Sequence, residues 1–584
     1  MQEEKIHTMI DYLSGELLDK RPEDGSLWSG YLSSSAISTS VAVFALFMSD
    51  KDKYQSHIVN GVAWLKKTML EDGSWGDSPE SPSNMTATLL TFATLSAVGE
   101  MPDQTKAFLT NNFGGISDTH IIEGVLKYYG KDLTFSAPIL VMCALAGVIS
   151  SWKNIPQLPF ELSVLPQKLF RFLRLPVVSY AIPALIAVGI LRYKKGNKNL
   201  LREQFIQGSL KVLSRLQPEH GGFLEAAPLT SFVSMCMCGA GYSDHKAVQK
   251  GIGFLTDTVR EDGSWPIDTN LAAWVTSLSV RAMGENIPDP LHLANEIKQN
   301  AFKYQHPFTG AKEGGWGWTN LPGAAPDADD TSGALVALHA LCNGESSAEI
   351  EKGLEWLLSL QNADGGIPTF CKGWGKLPFD RSSPDITAHA LLAFSLWRDH
   401  LPDALKRKCD NSAARMLRWM KKEQSAEGCW YPLWFGDQDA QDERSPVYGT
   451  ALSVEYLSGY DHPLAQEMVA KGASFLLSAQ NADGGWGGAT GVRSKVTLTA
   501  RALSALSTID NVEESILNNA FDFLYSKYES KDILKPEPIG LYFARLWYSE
   551  DMYNITFVLN ALNAYKQKLS QTKIMDLTNK NLLR

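Results

Sequence analysis

Positive charge is scarce in this chain. Its 584 residues carry 54 Lys and Arg against 64 Asp and Glu, a formal net charge of −10. No basic patch interleaved with aromatics occurs, so nucleic acid is not an expected partner. Cysteine is sparse as well: seven residues, dispersed, with no Cys-x-x-Cys pair. That usage suits free thiols in a reducing cytoplasm. Cys236 and Cys238, in SMCMCGAG, read as apolar packing residues. The N-terminus, MQEEKIHTMIDYLSGELLDK, is charged and amphipathic and lacks the apolar core of a signal peptide. Two apolar runs, 135–149 and 175–191, are short for a membrane span and contain proline. Core helices are the expectation there, and membrane contact without crossing stays open. No phosphate-binding glycine loop and no Asp-Asp-x-x-Asp pair occurs, so pyrophosphate machinery is not visible.

The length is too great for one ordinary core, so two domains are the default and three are allowed. Hydrophobic residues make up 44% and charged residues 20%, as in a globular protein. Aromatics reach 10%, and the 16 Trp are an excess that needs a use.

Part of that excess sits in a repeat. Six segments share one frame: an aromatic, an aliphatic, usually Gln, then Gly, one residue, and usually Trp. Examples are KGLEWLLSLQNADGGI from Lys352, KGASFLLSAQNADGGW from Lys471 and KGIGFLTDTVREDGSW from Lys250. Gln occupies 217, 361, 424 and 480, and Trp closes the frame at 75, 265, 430 and 486. The first half is a helix facing a core. Asp-Gly or Gly-Gly ends it, because glycine tolerates the left-handed conformation. The closing Trp can then fold over the Gln amide and the helix end, tying neighbours together. A structural role is the reading for Trp75, Trp265 and Trp486. Further apolar helices lie between the frames, and no run of alternating strands occurs. The fold class is all-α, with helix pairs stacked in a ring in both halves of the chain.

A second feature is PDADDTSG, which sets Asp327, Asp329 and Asp330 within four residues. A calcium loop opening at Asp327 would need Gly sixth and Glu twelfth; Ser332 and Leu338 stand there. A solvated acidic loop is the common alternative. The setting argues otherwise: GGWGWTN precedes the cluster and an apolar helix comes directly after it. In SPDITAHALLAF, Asp385 and His389 lie four apart on one helix face, with Ser383 and Pro384 as cap and first turn. A lone helical His is more often a packing or surface residue.

The glutamine–tryptophan frames and the DADD run together resemble the QW and DxDD motifs of the squalene–hopene cyclases and their relatives, over nearly the whole chain. Within that family the sequence is most similar to the bacillary tetraprenyl-β-curcumene cyclases, or sporulenol synthases. The resemblance implies two α/α barrels, the second inserted into the first. The implied limits are an N-terminal helix in 1–25, an inserted barrel in 26–271 and a catalytic barrel in 272–584. It implies a metal- and cofactor-independent enzyme in which Asp329 protonates a terminal alkene, His389 is its charge partner, Asp327 and Asp330 hold the network, and Asp385 orients His389. Cations formed later need aromatic faces, which attract positive charge without bonding to it. By resemblance these are Trp318, Trp274, Tyr180, Trp434, Tyr448 and Phe370, with Phe543, Trp547, Tyr548 and Tyr553 near the C-terminus; core packing is the alternative for each.

The expected substrate is a long polyprenyl hydrocarbon, tetraprenyl-β-curcumene or squalene. Such a substrate dissolves in bilayers, which implies monotopic docking on the cytoplasmic side of the cell membrane, with Phe223–Tyr242 as the contact and a core helix as its alternative. A homodimer is compatible with the resemblance. Departures count against hopene formation: Val275 follows Trp274 where hopene-forming enzymes carry Asp, SSSAISTS lacks their Glu, and Tyr180 replaces a Trp. Two other classes fit less well. A zinc protein prenyltransferase subunit needs Asp-x-Cys, which none of the seven Cys provides. A non-catalytic toroid scaffold has no use for a buried acid triplet.

Overall fold

The computed structural model describes residues 2–100, 102–130, 133–165, 182–196, 200–306, 311–370, 380–541 and 546–582. A helix that is apolar around its whole circumference must be surrounded by other helices. The chain opens with an amphipathic helix, α1 (Gln2–Asp19), and then builds six such inner helices in its C-terminal half. They are α2 (Ala272–Met283), α3 (Ala328–Leu341), α4 (Pro384–Trp397), α5 (Pro446–Leu457), α6 (Val496–Ser507) and α7 (Tyr553–Leu582). Each packs on the next, and α7 returns to α2, closing a ring. Every residue of α5 is buried, which fits its run of Ala, Val, Leu, Gly and Thr. Amphipathic outer helices such as Ala348–Leu360 and Asp403–Glu423 back the ring, and α1 closes it against α7. The class is the all-α toroid that the sequence implies. One hydrophobic core takes Ile6–Trp28 and Ala272–Tyr565; another takes Ala36–Trp265.

The repeat acts as a bolt between helices. The closing Trp donates its indole N–H to a carbonyl ten residues back, at the end of its own outer helix: Trp75 to Leu65 (2.7 Å), Trp265 to Leu255 (2.8 Å), Trp430 to Met420 (2.9 Å) and Trp486 to Leu476 (2.8 Å). The Gln amide bridges outward. Gln480 Nε2 donates to the Gly484 carbonyl in its own turn (2.8 Å) and to the Ile516 carbonyl of the following outer helix (3.0 Å). Gln217, Gln361 and Gln424 repeat the pattern. A third member, a Thr on an inner helix, accepts the Trp backbone N–H, as Thr499 does from Trp486 (3.0 Å) and Thr450 from Trp430 (3.0 Å). Trp316 belongs to the same class, bonded to Ile297 and Thr331.

Two findings differ from the sequence reading. A small antiparallel sheet exists: β1 (Phe435–Gly436), β2 (Ile539–Leu541) and β3 (Leu546–Tyr548). Segment 223–242 is not a surface: it contains the helix Ala227–Gly239, whose Met235, Cys236 and Met237 are fully buried in the second core. Exposed apolar side chains near one another in sequence in that half are instead Leu200 (84%), Leu201 (70%) and Phe205 (40%). Of the two apolar runs, the first holds a buried helix, Leu133–Leu145; the second is described from Ile182 on and is buried too. Among the described residues no helix is long and apolar enough to cross a membrane.

Replacing Gln480 by Leu strands two carbonyls inside a packed turn. The expected cost is about 1–3 kcal/mol, read as a lower urea midpoint by circular dichroism. An unchanged midpoint would mean that the bolt contributes no net stability.

Candidate active site

The inner helix α3 begins where it does because Asp327 caps it. One Asp327 oxygen accepts the backbone N–H of Asp329 and of Asp330, both at 2.9 Å. Two of the three carboxyls are thus pinned to a helix start, where the macrodipole favours negative charge. Burial pushes Asp327 up to about 7, against the lowering effect of the hydrogen bond from Asp330 and of the backbone N–H groups. Burial, then the charge of Asp327, drives Asp330 well above the usual carboxylate range. Asp330 is therefore the neutral partner and donates to Asp327, and its Oδ1 has no hydrogen-bond partner.

Asp329 faces the other way. Its Oδ1 lies 2.7 Å from His389 Nδ1, across from α3 to α4. The His389 side chain is 4% exposed and that of Asp329 is 23% exposed, so one end of the pair opens on a cavity. The ring of His389 stacks on Tyr456, 4.7 Å between centroids and 19° between planes, and meets Trp274 edge-on at 6.3 Å.

Asp385 does not orient His389, although the two lie four apart on one helix. Its hydrogen bond comes from the Ser383 hydroxyl, which in turn accepts the Leu433 N–H at 3.0 Å. Ser383 sits at the cap position of α4 without capping a backbone N–H. Burial first, then the charge of Asp329, raises Asp385 to about 6. The i,i+4 contact loses because α3 presents a better partner for the imidazole.

The triad opens on a cavity of about 300 Å³, at the lower end of ordinary small-molecule sites. Trp274, Trp318, Phe370, Trp434, Tyr548 and Tyr553 line it together with Asp327, Asp329 and Asp330. Trp318, Phe370 and Trp434 form a string of edge-to-face rings at 6.0 and 5.3 Å. The hydroxyls of Tyr548 and Tyr553 are 3.1 Å apart. Two expected wall residues fall elsewhere. Tyr448 stands behind the wall, 5.2 Å from the lining ring of Phe435. Trp547 is the middle residue of β3, so the pleat turns it away from the face that Leu546 and Tyr548 give the cavity, and its N–H bonds Asp77 at 2.8 Å. Tyr180 and Phe543 lie outside the described residues.

The structure adds residues that the sequence reading missed. Leu32, Leu224, Ile267 and Phe435 line the cavity, as does a fourth carboxyl, Asp268. Burial, then the charge of Glu225, raises Asp268 well above the usual range. The indole N–H of Trp318 is directed toward it and lowers it in part, without closing to a hydrogen bond. Its only sequence signal is its place three residues after a closing Trp, in SWPIDTN. Among the described residues no three His, Cys, Asp or Glu side chains converge as metal ligands. The arrangement is a proton-holding carboxyl cluster with a histidine partner, set in an apolar and aromatic wall.

Comparison with known proteins agrees with that chemistry. Residues 291–567 match the squalene-hopene cyclase C-terminal domain, and residues 7–145 match the prenyltransferase alpha-alpha toroid domain. The chain is 24% identical to enfumafungin synthase of Hormonema carpetanum, over 73% of this chain and 38% of that protein. It is 23% identical to a squalene hopane cyclase of Aspergillus fumigatus, over 79% of this chain and 75% of that one. It is 25% identical to squalene–hopene cyclase of Bradyrhizobium diazoefficiens, over 38% and 36%. The chain thus spans little more than a third of the Hormonema and Bradyrhizobium relatives. The ent-copalyl diphosphate synthase from Streptomyces platensis has the same fold, with a TM-score of 0.55 at 16% identity, over 96% of this chain and 99% of that one. These relatives are terpene cyclases, and the matches support that enzyme family.

Raised carboxyls leave two signatures. At pH 7, difference infrared spectra should contain a neutral-acid C=O band that Asp330→Asn and Asp268→Asn each diminish; a carboxylate-only spectrum would contradict the assignment. Asp385, moved from 3.8 to about 6, holds a proton that the unfolded chain has released. Stability therefore falls as pH rises through that window and is level above it. Asp385→Asn should gain on wild type across that pH window, by about 3 kcal/mol at its upper end and no more beyond it, as read from unfolding midpoints.

Proposed function

We propose that this chain is a proton-initiated terpene cyclase acting on a long linear polyprenyl hydrocarbon, with tetraprenyl-β-curcumene as the substrate and squalene as the alternative. The observation that carries the reading is the Asp329–His389 pair at the edge of an apolar, aromatic-lined cavity. An alkene is a very poor base, so its acid must be kept protonated and away from water. With His389 donating from Nδ1, Oδ2 of Asp329 is left to carry the proton into the cavity. The C=C π electrons take that proton and leave a carbocation. The Asp329 carboxylate that remains is held by the imidazolium, which lowers the barrier by stabilising charge where it develops. Asp330 assists by staying neutral: an ionised neighbour would repel the new carboxylate.

The wall suits the carbocation formed by that transfer. Trp318, Phe370 and Trp434 present rings that attract a cation without ending its chemistry. The residues that line the cavity include no Lys or Arg to hold a diphosphate, which favours a hydrocarbon. A bilayer-soluble substrate calls for docking on a membrane surface, on its cytoplasmic side. Leu200, Leu201 and Phe205 are the exposed apolar side chains suited to that contact.

The test uses purified full-length protein in detergent with EDTA, given tetraprenyl-β-curcumene and squalene in parallel, with products read by gas chromatography and mass spectrometry. Cyclised product from the C35 substrate supports the first choice, and product from squalene alone moves the assignment to the triterpene branch. Asp329→Asn is expected to abolish turnover with an unchanged circular dichroism spectrum; near-normal turnover would sink the acid assignment. Trp318→Ala is expected to release partly cyclised products, because a later cation loses its π face. An unchanged product profile would count against that role.

A further inference from the structure

The proton-donating pair is backed by a stack that reaches the centre of the helix ring. Tyr456, on α5, lies face to face with His389 at 4.7 Å. The guanidinium of Arg281, on α2, lies 4.6 Å from the same ring centroid. One Tyr456 ring is thus in contact with both a guanidinium and the imidazole. Arg281 is itself anchored: it bonds Glu455 at 2.8 Å. Glu455 also accepts from Ser504 and Asn560, each at 3.0 Å. The network joins α2, α5, α6 and α7, four of the six inner helices.

We propose that Tyr456 is a positioning residue for Asp329, acting through His389: its ring holds the imidazole flat toward Asp329 and stabilises the protonated form, while the Arg281–Glu455 pair fixes the ring. The inference rests on the cyclase reading of the site.

The physical need is plain. His389 is nearly water-free, and burial alone disfavours an imidazolium. Its charged and titratable neighbours are Asp329 from α3, Asp385 one turn earlier on α4, and Tyr456 with Tyr448 from α5; Arg281 from α2 and Arg501 from α6 act on Tyr456 in turn. Asp329 favours the imidazolium only while it is ionised, which is the state after proton transfer. Before transfer Asp329 is neutral, and the Tyr456 face is then the group in contact that favours a cation. Arg281 competes for the same ring. Glu455 offsets that competition by balancing the guanidinium charge.

The experiment uses the full chain with Tyr456 replaced by Met and, separately, by Leu, which fill space without a π face, and by Phe, which keeps the face. Two readouts are taken. The first is the pKa of His389 from histidine-labelled NMR, with the resonance assigned by His389→Asn. The second is kcat and KM against pH with the hydrocarbon that wild type cyclises. In the Met and Leu variants the His389 pKa and the basic limb of kcat should move down by about one pH unit. Their kcat should fall about tenfold with KM within about twofold of wild type. Tyr456→Phe should restore both. An unchanged His389 pKa in Met and Leu, or a Phe variant that behaves like them, overturns the proposal. If wild type cyclises nothing while the NMR shift is present, the stack stands and the cyclase reading fails.

Discussion

The hydrogen bond between Asp329 and His389 is the constraint around which the rest is arranged. It crosses from one inner helix to the next, so it exists only if α3 and α4 keep their register to within a fraction of an ångström. It also has to stay dry, because water at this point would level the acid and quench a cation. Register and dryness set two structural demands, and separate parts of the chain meet each of them.

Register comes from the ends of the helices. An inner helix of small and apolar residues has little in its own side chains to stop it sliding. The Trp and Gln bolts fix it from outside, because each ties the end of one outer helix to its own turn and to the next outer helix, while the Thr on the inner helix takes the Trp N–H. Ile367 stands in a closing position ahead of α4, and its N–H goes to Thr387, two residues before His389. The repeat thus reaches within a helical turn of the catalytic candidate. Dryness comes from the aromatic wall, and the same rings that exclude water present π faces to whatever charge forms inside.

The repeat was legible because its members fall at fixed spacing and glycine marks the helix ends. The Thr was not, because its separation from the closing residue varies from 7 for Phe223 and Thr230 to 20 for Trp430 and Thr450, and Trp265 finds its Thr at position 39, 226 residues earlier. The acid cluster was legible for the same reason as the repeat: three carboxyls within four residues are a local pattern. Its partners were not so readable. Helical spacing places Asp385 beside His389, yet tertiary packing gives the imidazole to Asp329 and Asp385 to Ser383. Trp547 and Tyr548 are adjacent in an aromatic-rich stretch, and only the pleat of a three-residue strand separates the one that lines the cavity from the one that does not. Asp268 lies in a loop, where no periodicity betrays burial.

That last carboxyl bears on the chemistry of the whole cavity. Burial keeps Asp330 and Asp268 neutral by the same mechanism, yet they sit in different company: Asp330 beside Asp327 and Asp329, Asp268 beside Glu225 and Trp318. An ionised carboxylate in the wall would trap a passing cation, whereas a neutral acid does so far less readily. Keeping Asp330 and Asp268 protonated lets one apolar cavity hold both without fixing two negative charges in its wall. The cost is borne in folding, since each raised group opposes stability as pH rises. The helix cap at Asp327, the neutral partner at Asp330 and the bond to His389 give three carboxyls within four residues three different environments.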